Sequence, residues 1–300
     1  MNFICLNERF EIPYKENEDI PEQIDYSKIN TNEIIHIGIL ALNQFYSEKN
    51  KLPEINTKEH SKIIIDYGKE IYEKKKRENL AWVEGLEEEI KNFYELLEKT
   101  LFRLSLWSRT EISPIASFMG GVAAQEIVKY TGKYIPIYQW IWFDFSETVE
   151  NLDENIERNL QNERYDDQIA IYGNKIQKEI QQSNIFIIGA GALGCEFMKV
   201  FALMGISTNN PNKATITDDD NIEKSNLNRQ FLYRNNDVGK SKSMTACKAV
   251  KEINPEFNCY TLNNRIGIET EDIFDEKFWE SQDYIINAVD NLEARIYMEH

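Results

Sequence analysis

Residues 184–199 read Asn184-Ile185-Phe186-Ile187-Ile188-Gly189-Ala190-Gly191-Ala192-Leu193-Gly194-Cys195-Glu196-Phe197-Met198-Lys199. Ile185 to Ile188 is a short apolar run rich in β-branched residues, the pattern of a strand buried on both faces of a parallel sheet. Gly189, Gly191 and Gly194 have the spacing of a tight turn, a close backbone approach to a ligand, and close packing of the next helix. Leu193, Phe197, Val200 and Phe201 recur near helical spacing. A helix therefore begins at Ala192 and points its free amides over the glycines, where a phosphate-bearing or other anionic guest is favoured.

G-x-G-x-x-G alone also describes a packing turn, so its surroundings decide. The run Ala214-Thr215-Ile216-Thr217-Asp218 follows where dinucleotide folds put the carboxylate that takes a ribose hydroxyl. Asp218 is the ribose-binding candidate; the alternative is a solvated strand end beside Asp219 and Asp220. Next, Ser225-Asn226-Leu227-Asn228-Arg229-Gln230 concentrates amide and guanidinium donors, and Lys242 opens a helical pattern. Arg229 can clamp phosphate oxygens bidentately and Lys242 adds a mobile point charge. Hydride transfer has little use for both cations, whereas phosphates undergoing chemistry need fixed positive partners. Taken singly, either residue could be a surface cation.

A second buried-strand pattern, Asp283-Tyr284-Ile285-Ile286-Asn287-Ala288-Val289, ends at Asp290-Asn291. Ligands of open α/β sheets bind outside the carboxyl ends of the strands, so Asp290 is expected to face the crevice shared by Gly189 and Asp218. A hard carboxylate beside a triphosphate reads as a magnesium ligand, with N-capping of the helix over 292–298 as the other role.

From Arg164-Tyr165-Asp166-Asp167-Gln168 through Asp290-Asn291-Leu292-Glu293-Ala294-Arg295, the chain resembles the active adenylation domain of ubiquitin-activating enzymes. Upstream, residues 114–129 and 132–140 resemble the closing helix and strand of the same family's inactive adenylation domain, and residues 35–45 its four-helix insert. The resemblance implies an α/β fold: a Rossmann-like, ThiF/MoeB-type adenylation domain with a mainly parallel sheet, preceded by a helical bundle. It implies ATP and Mg2+ as cofactors, with Gly189, Gly191, Ala192 and Gly194 in the nucleotide turn and Asp218 as ribose ligand. Asp220 also belongs to the nucleotide site, with Asn226, Arg229, Gln230 and Lys242 at the phosphates. Arg229 and Lys242 are the catalytic cations, Asp290 holds the metal, and Asn291 lies beside the nucleotide. The implied partners are ubiquitin or a ubiquitin-like protein and, for the full protein, a ubiquitin-conjugating enzyme.

In this family the ubiquitin C-terminal carboxylate attacks the α-phosphate of ATP, and a cysteine thiolate then captures the acyl adenylate. That cysteine is expected beyond His300. Cys195 lies in the turn of the helix after Gly194, where packing explains it and an N-terminal position could lower its pKa. Cys247 and Cys259 read as small core residues, while Cys5 is uninformative. Asp167 stands where the partner half carries an arginine for the ATP phosphates, and an aspartate cannot stabilise them. The isolated chain is therefore expected to be inactive, a central piece of a longer enzyme truncated before the cysteine domain. Two other readings stay open: a non-catalytic relative that binds nucleotide or ubiquitin, and an NAD-dependent oxidoreductase, which Asn226, Arg229, Gln230 and Lys242 disfavour.

Three hundred residues with 42% hydrophobic content suggest about two domains. Four cysteines without C-x-x-C spacing argue against a zinc ribbon or disulfide scaffold. No signal peptide or membrane-length apolar stretch is read, so a cytoplasmic location is expected, with the nucleus as a further option. A net charge of −17 disfavours nucleic acid. The expected divisions are an irregular segment over 1–32, a helical bundle over 33–107, the end of the inactive domain over 108–148, a linker over 149–163, and the active domain over 164–300. Within them, helices are expected over 34–48, 60–77 and 86–107. A packing helix over 113–130 should lie tight on a sheet through Gly120-Gly121, beside a strand over 139–143. The basic run 74–77 reads as a solvated helix end, and His36 and His60 as packing or helix-surface residues.

Overall fold

The computed structural model describes residues 10–13, 31–78, 80–137, 141–149, 156–209, 211–289 and 292–299. Two compact units emerge, one from residues 1–111 with 118–155 and the other from residues 112–117 with 156–300.

The first unit is helical. Helices α1 (Thr31–Lys49), α2 (Lys58–Arg77) and α4 (Phe93–Trp107) enclose Ile34, Ile37, Phe45, Ile64, Leu97 and Leu101, each fully buried. The apolar spacing on each helix places these side chains on one face. On α2 the buried line runs through Ile64, Gly68 and Tyr72, while Tyr67 and Ile71 flank it. Gly68 is needed there because a Cβ would lie 2.4 Å from Leu101 Cδ1.

The expected single helix over 86–107 is broken. A short α3 (Leu86–Glu89) stops at extended Ile90, and Asn92, at φ 59°, starts α4 from the left-handed region. Asparagine tolerates that conformation better than most residues, so the apolar periodicity continues across a backbone that does not.

His36 serves packing, as expected. It is fully buried, its Nε2 lies 2.9 Å from the Phe10 carbonyl, and it meets the Trp82 ring edge-on at 5.4 Å. Burial pulls its pKa down to about 4, so it is neutral at physiological pH. His60 packs on Phe45 at 5.1 Å. The basic run is less solvated than expected, because Lys75 is buried and pairs with Glu11 at 2.7 Å.

Helix α5 (Ser113–Lys129) forms as predicted but buries no residue. A Cβ on Gly120 or Gly121 would meet nothing within 4 Å, which corrects the expectation of tight packing on a sheet. Strand pairing explains the difference: residues 141–143 are not in a strand, and every described sheet strand lies between 185 and 287. Residues 138–140 lie outside the described residues. Phe118 packs instead on the rings of Phe143 and Phe145, at 4.7 and 5.3 Å.

From residue 156 onward the second unit holds α6 (Asp166–Tyr172) and α7 (Asn174–Gln182), with residues 156–159 against their junction: the Asn174 N–H donates to the Glu157 carbonyl at 2.9 Å. It continues through β1 (Ile185–Ile188), α8 (Ala192–Met204), β2 (Ala214–Thr217), α9 (Lys242–Ile253), β3 (Cys259–Leu262), α10 (Glu276–Glu280), β4 (Tyr284–Asn287) and α11 (Leu292–Glu299). The four strands are all parallel in the order β3-β2-β1-β4.

Strand β1 is buried on both faces, as its composition predicts. Ile185 and Ile187 cluster with Met198 and Ala202 of α8 and Ala246 and Val250 of α9. On the other face, Phe186 and Ile188 cluster with Ile266 and Phe274. The expectation for β4 needs correction, since Tyr284 is 65% and Ile285 44% exposed. An apolar run shows that a strand can be buried, but neighbours decide whether it is, and β4 pairs only with β1 among the described residues.

Pairing of Ile188 with Thr217 and with Asn287 brings the carboxyl ends of β1, β2 and β4 level. Gly189, Asp218 and Ala288 therefore emerge together at one edge of the sheet, and order reverses between β1 and β4, the usual ligand position in such sheets. Among the described residues, no helix is long and apolar enough to cross a membrane.

Leu101→Ala should lower unfolding free energy by about 2–5 kcal/mol, because it opens a cavity in the helical unit. Urea unfolding followed by tryptophan fluorescence measures it; a loss below about 1 kcal/mol would show that α1, α2 and α4 collapse onto the space.

Candidate functional site

The β1–α8 turn gives each glycine a different task. Gly189 adopts φ +98°, and a Cβ there would lie 2.9 Å from the Ala288 carbonyl oxygen. A Cβ at Gly194 would lie 2.0 Å from the Gly189 carbonyl oxygen, so hydrogen is required for α8 to sit on the turn. Gly191 has no atom within 4 Å of an added Cβ and lines an open cleft. The first amides of α8 lie at that opening, unpaired within the helix.

Asp218 ties this turn to β2. Its Oδ2 accepts the Ala190 N–H at 2.6 Å and its Oδ1 accepts the Asp220 N–H at 2.9 Å. Burial pushes its pKa up, against the opposing pull of the two backbone donors and Lys242. The half-buried carboxylate is a built feature rather than a solvated strand end.

Lys242 occupies an unusual place. It is the first residue of α9, where the helix dipole disfavours a cation, and only 8% exposed. Its Nζ lies 2.6 Å from Asp220 Oδ2, and its N–H donates to the Asp220 carbonyl at 3.0 Å. A buried cation at a helix start is a local conflict of the kind functional sites carry.

The polar segment before it folds as a 3-10 turn (Lys224–Asn228). Asn226 is buried, and its Oδ1 accepts the Glu223 N–H at 2.8 Å, fixing the turn. Arg229 is exposed; its Nη1 donates to the Ser225 carbonyl at 3.0 Å and to Asn228 Oδ1 at 3.2 Å. Gln230 is 4% exposed, and its buried Oε1 makes no hydrogen bond. An orphaned buried amide oxygen costs about 1–3 kcal/mol, which a polar ligand would offset.

These residues share one cleft of about 660 Å³, within the usual range for small-molecule sites. It is lined by Gly189, Gly191, Ala192, Asp218, Asp220 and Asn226 together with Arg229, Gln230 and Lys242, while Gly194 lies beneath the turn. Asp290 and Asn291 lie outside the described residues, although Ala288 and Val289 before them line the same cleft. Asn264, Arg265 and Arg295 also line it and were not among the expected site residues. Asn264 and Arg265 follow β3, so the strand-end rule could have found them; Arg295 sits one turn into α11 and carried no such signal.

The carboxylates of Asp218, Asp219 and Asp220 each offer an oxygen within 4.8 Å of the others. An all-oxygen acidic set suits a hard divalent cation such as magnesium, with Lys242 already neutralising part of the charge. Cys195 is a packing residue: fully buried, with its thiol 3.6 Å from the Ala190 carbonyl and its pKa raised by burial.

Residues 165–300, which hold the parallel sheet and the cleft, match the model of the ThiF family. Residues 2–72 match the ubiquitin-activating enzyme E1 four-helix bundle. The chain is similar in sequence to ubiquitin-activating enzymes over more than nine tenths of its length. It is 39% identical to ubiquitin-activating enzyme E1 2 of Arabidopsis thaliana over 92% of this chain and 24% of that protein. It is 36% identical to ubiquitin-like modifier-activating enzyme 1 of Homo sapiens over 92% of this chain and 25% of that protein. It spans about a quarter of the length of these curated relatives. Among solved structures it also resembles the Escherichia coli tRNA N6-threonylcarbamoyladenosine dehydratase, at TM-score 0.41 and 21% identity over 45% of this chain and 53% of that one.

Because the folded-state pKa of Asp218 is raised, its ionisation costs stability as pH rises from below the ordinary aspartate value through the raised one. The unfolding free energy of Asp218→Asn relative to wild type should therefore shift in the variant's favour over that window. Urea titrations at a series of pH values test this, and a shift in the opposite direction would mean that the two backbone N–H bonds outweigh burial.

Proposed function

We propose that the cleft binds ATP with magnesium and that this chain is the nucleotide-binding part of an enzyme that adenylates the C-terminal carboxylate of ubiquitin or a ubiquitin-like protein. The observation that carries the reading is the meeting of an open glycine turn, two cations and an orphaned buried amide in one cleft. Asp218 would take the ribose hydroxyls through its remaining lone pairs. Gly191 and the first amides of α8 would receive phosphate oxygens, as helix starts do.

In this reaction the substrate carboxylate attacks the α-phosphorus, an acyl–phosphate bond forms, and pyrophosphate leaves. Negative charge shifts onto the phosphate oxygens as this happens. Arg229 would present a fork to them, and Lys242 a point charge that leaves Asp220 for the ligand. Once engaged with the phosphates, the two cations would stabilise the charge that develops there in the transition state. Gln230 would fill its unmet hydrogen bond from the nucleotide, or turn its amide to donate to a phosphate.

Asp290 is the proposed magnesium ligand, supported by the acidic and oxygen-rich cleft wall, and Asn291 the proposed neighbour of the nucleotide. Magnesium bound there would neutralise phosphate charge. A ubiquitin-conjugating enzyme would be the later partner, after thioester formation on a cysteine outside this chain.

Isotope exchange between pyrophosphate and ATP, dependent on added ubiquitin, tests the activity in the longer protein containing this sequence; calorimetry with ATP tests binding by the chain itself. Lys242→Ala and Arg229→Ala should each slow exchange roughly hundred- to thousandfold. Exchange that proceeds at the wild-type rate in both variants would remove the cations from the mechanism. Asp290→Ala should abolish exchange while leaving the urea midpoint unchanged, and full activity without Asp290 would refute the metal assignment.

A further inference from the structure

Strand β4 leaves the sheet beside the glycine turn. The Ala288 N–H donates to the Ile188 carbonyl at 2.9 Å, and a Cβ on Gly189 would lie 3.2 Å from Val289 Cγ1, so the ends of β1 and β4 stand in close contact. At Val289 side chains take over from the ladder. Its N–H donates to Asn287 Oδ1 at 3.4 Å, and its carbonyl accepts a hydrogen bond from Arg295 Nε at 3.0 Å.

Arg295 acts from a firm base. It lies on α11, whose Ala294 is buried and whose Tyr297 and Met298 pack, like Val289, on the cluster of Phe186 and Ile188 at the second face of the sheet. From there the side chain reaches back to the strand end that precedes its own helix. A guanidinium donor makes a charge-assisted bond, and its planar group fixes direction as well as distance. Apolar contacts already seat α11 and the ladder already holds β4, so the bond adds order chiefly at Val289. Arg295, Ala288 and Val289 all line the cleft, which puts this clasp in the cleft wall.

We propose that Arg295 is a positioning residue of the magnesium–ATP site, an inference that rests on the assignment of magnesium to Asp290 and of ATP to the cleft. By holding the Val289 carbonyl, Arg295 sets where the chain stands at the residue before the metal ligand. Groups that orient a metal ligand from outside the coordination shell typically change metal affinity by roughly ten- to hundredfold when removed. Arg295 would act in this way through the backbone, without touching the metal.

Two substitutions separate the hydrogen bond from the charge. Glutamine carries its amide nitrogen as many bonds from Cα as arginine carries Nε, so Arg295→Gln keeps a donor for Val289 and loses the cation. Arg295→Met has similar length, loses the same charge and offers no donor. ATP binding to the folded 300-residue chain is measured by calorimetry with magnesium and again with EDTA, and the ratio of the two affinities is compared. The ratio should fall roughly tenfold in Arg295→Met and stay close to wild type in Arg295→Gln. In the absence of nucleotide, hydrogen exchange in peptides covering Ala288 and Val289 should quicken in Arg295→Met and not in Arg295→Gln. Equal ratios in the two variants would overturn the proposal, and so would exchange that fails to tell them apart. A wild-type chain that binds no ATP would overturn the assignment of the cleft and this inference together, whereas ATP binding with indistinguishable variants would sink this inference alone.

Discussion

A side chain at position 194 would come within 2.0 Å of the Gly189 carbonyl oxygen, so α8 can rest on the end of β1 only because that residue is glycine. The rest of the cleft follows from this approach. It sets where α8 begins, leaves the Gly191 side open, and aims the first helical amides at the opening. It also holds the turn where the Ala190 N–H meets Asp218, which joins the ends of β1 and β2 through one hydrogen bond. A larger residue at 194 would move the helix, and the anion site built on its start would move with it.

Electrostatics then divides the labour in a strongly acidic chain. The carboxylates crowd one wall at Asp218, Asp219 and Asp220, while the cations stand at Lys242, Arg229 and, beyond the expected set, Arg265 and Arg295. Lys242 is buried and paired with Asp220 at 2.6 Å, at a helix start whose dipole disfavours a cation. An arrangement that costs stability in this way is better explained by a polyanionic ligand than by folding. Gln230 carries the same message in a neutral form, since its buried oxygen has no hydrogen bond until something enters the cleft.

Much of this was legible in residue order. Ile185 to Ile188 reads as a two-faced buried strand and is one, because β-branched residues in a short run suit a pleat covered on both sides. The glycine spacing located the turn, and the donors from Asn226 to Gln230 were found in the same wall as Lys242. What failed did so for physical reasons. The helical periodicity over 86–107 survives a break at Asn92, because spacing records which side chains are buried and not whether the backbone between them is continuous. The apolar stretch of β4 and the glycines of α5 describe surfaces suited to burial, and neither is covered here. Arg265 follows a strand end and could have been found by that rule, whereas Arg295, inside a helix, carries no signal until the chain around it is folded.

The sequence by itself determined the kinds of element, the parallel nucleotide-type sheet and the chemistry available at its edge, since these depend on local conformational preference and on functional groups close in the chain. Tertiary structure alone decided which charges neutralise each other and which amide is left without a partner. Those outcomes join residues far apart in the chain, such as Ala190 with Asp218 and Asp220 with Lys242. They rest on distances of a few ångströms that only the packing of helices on the sheet can set.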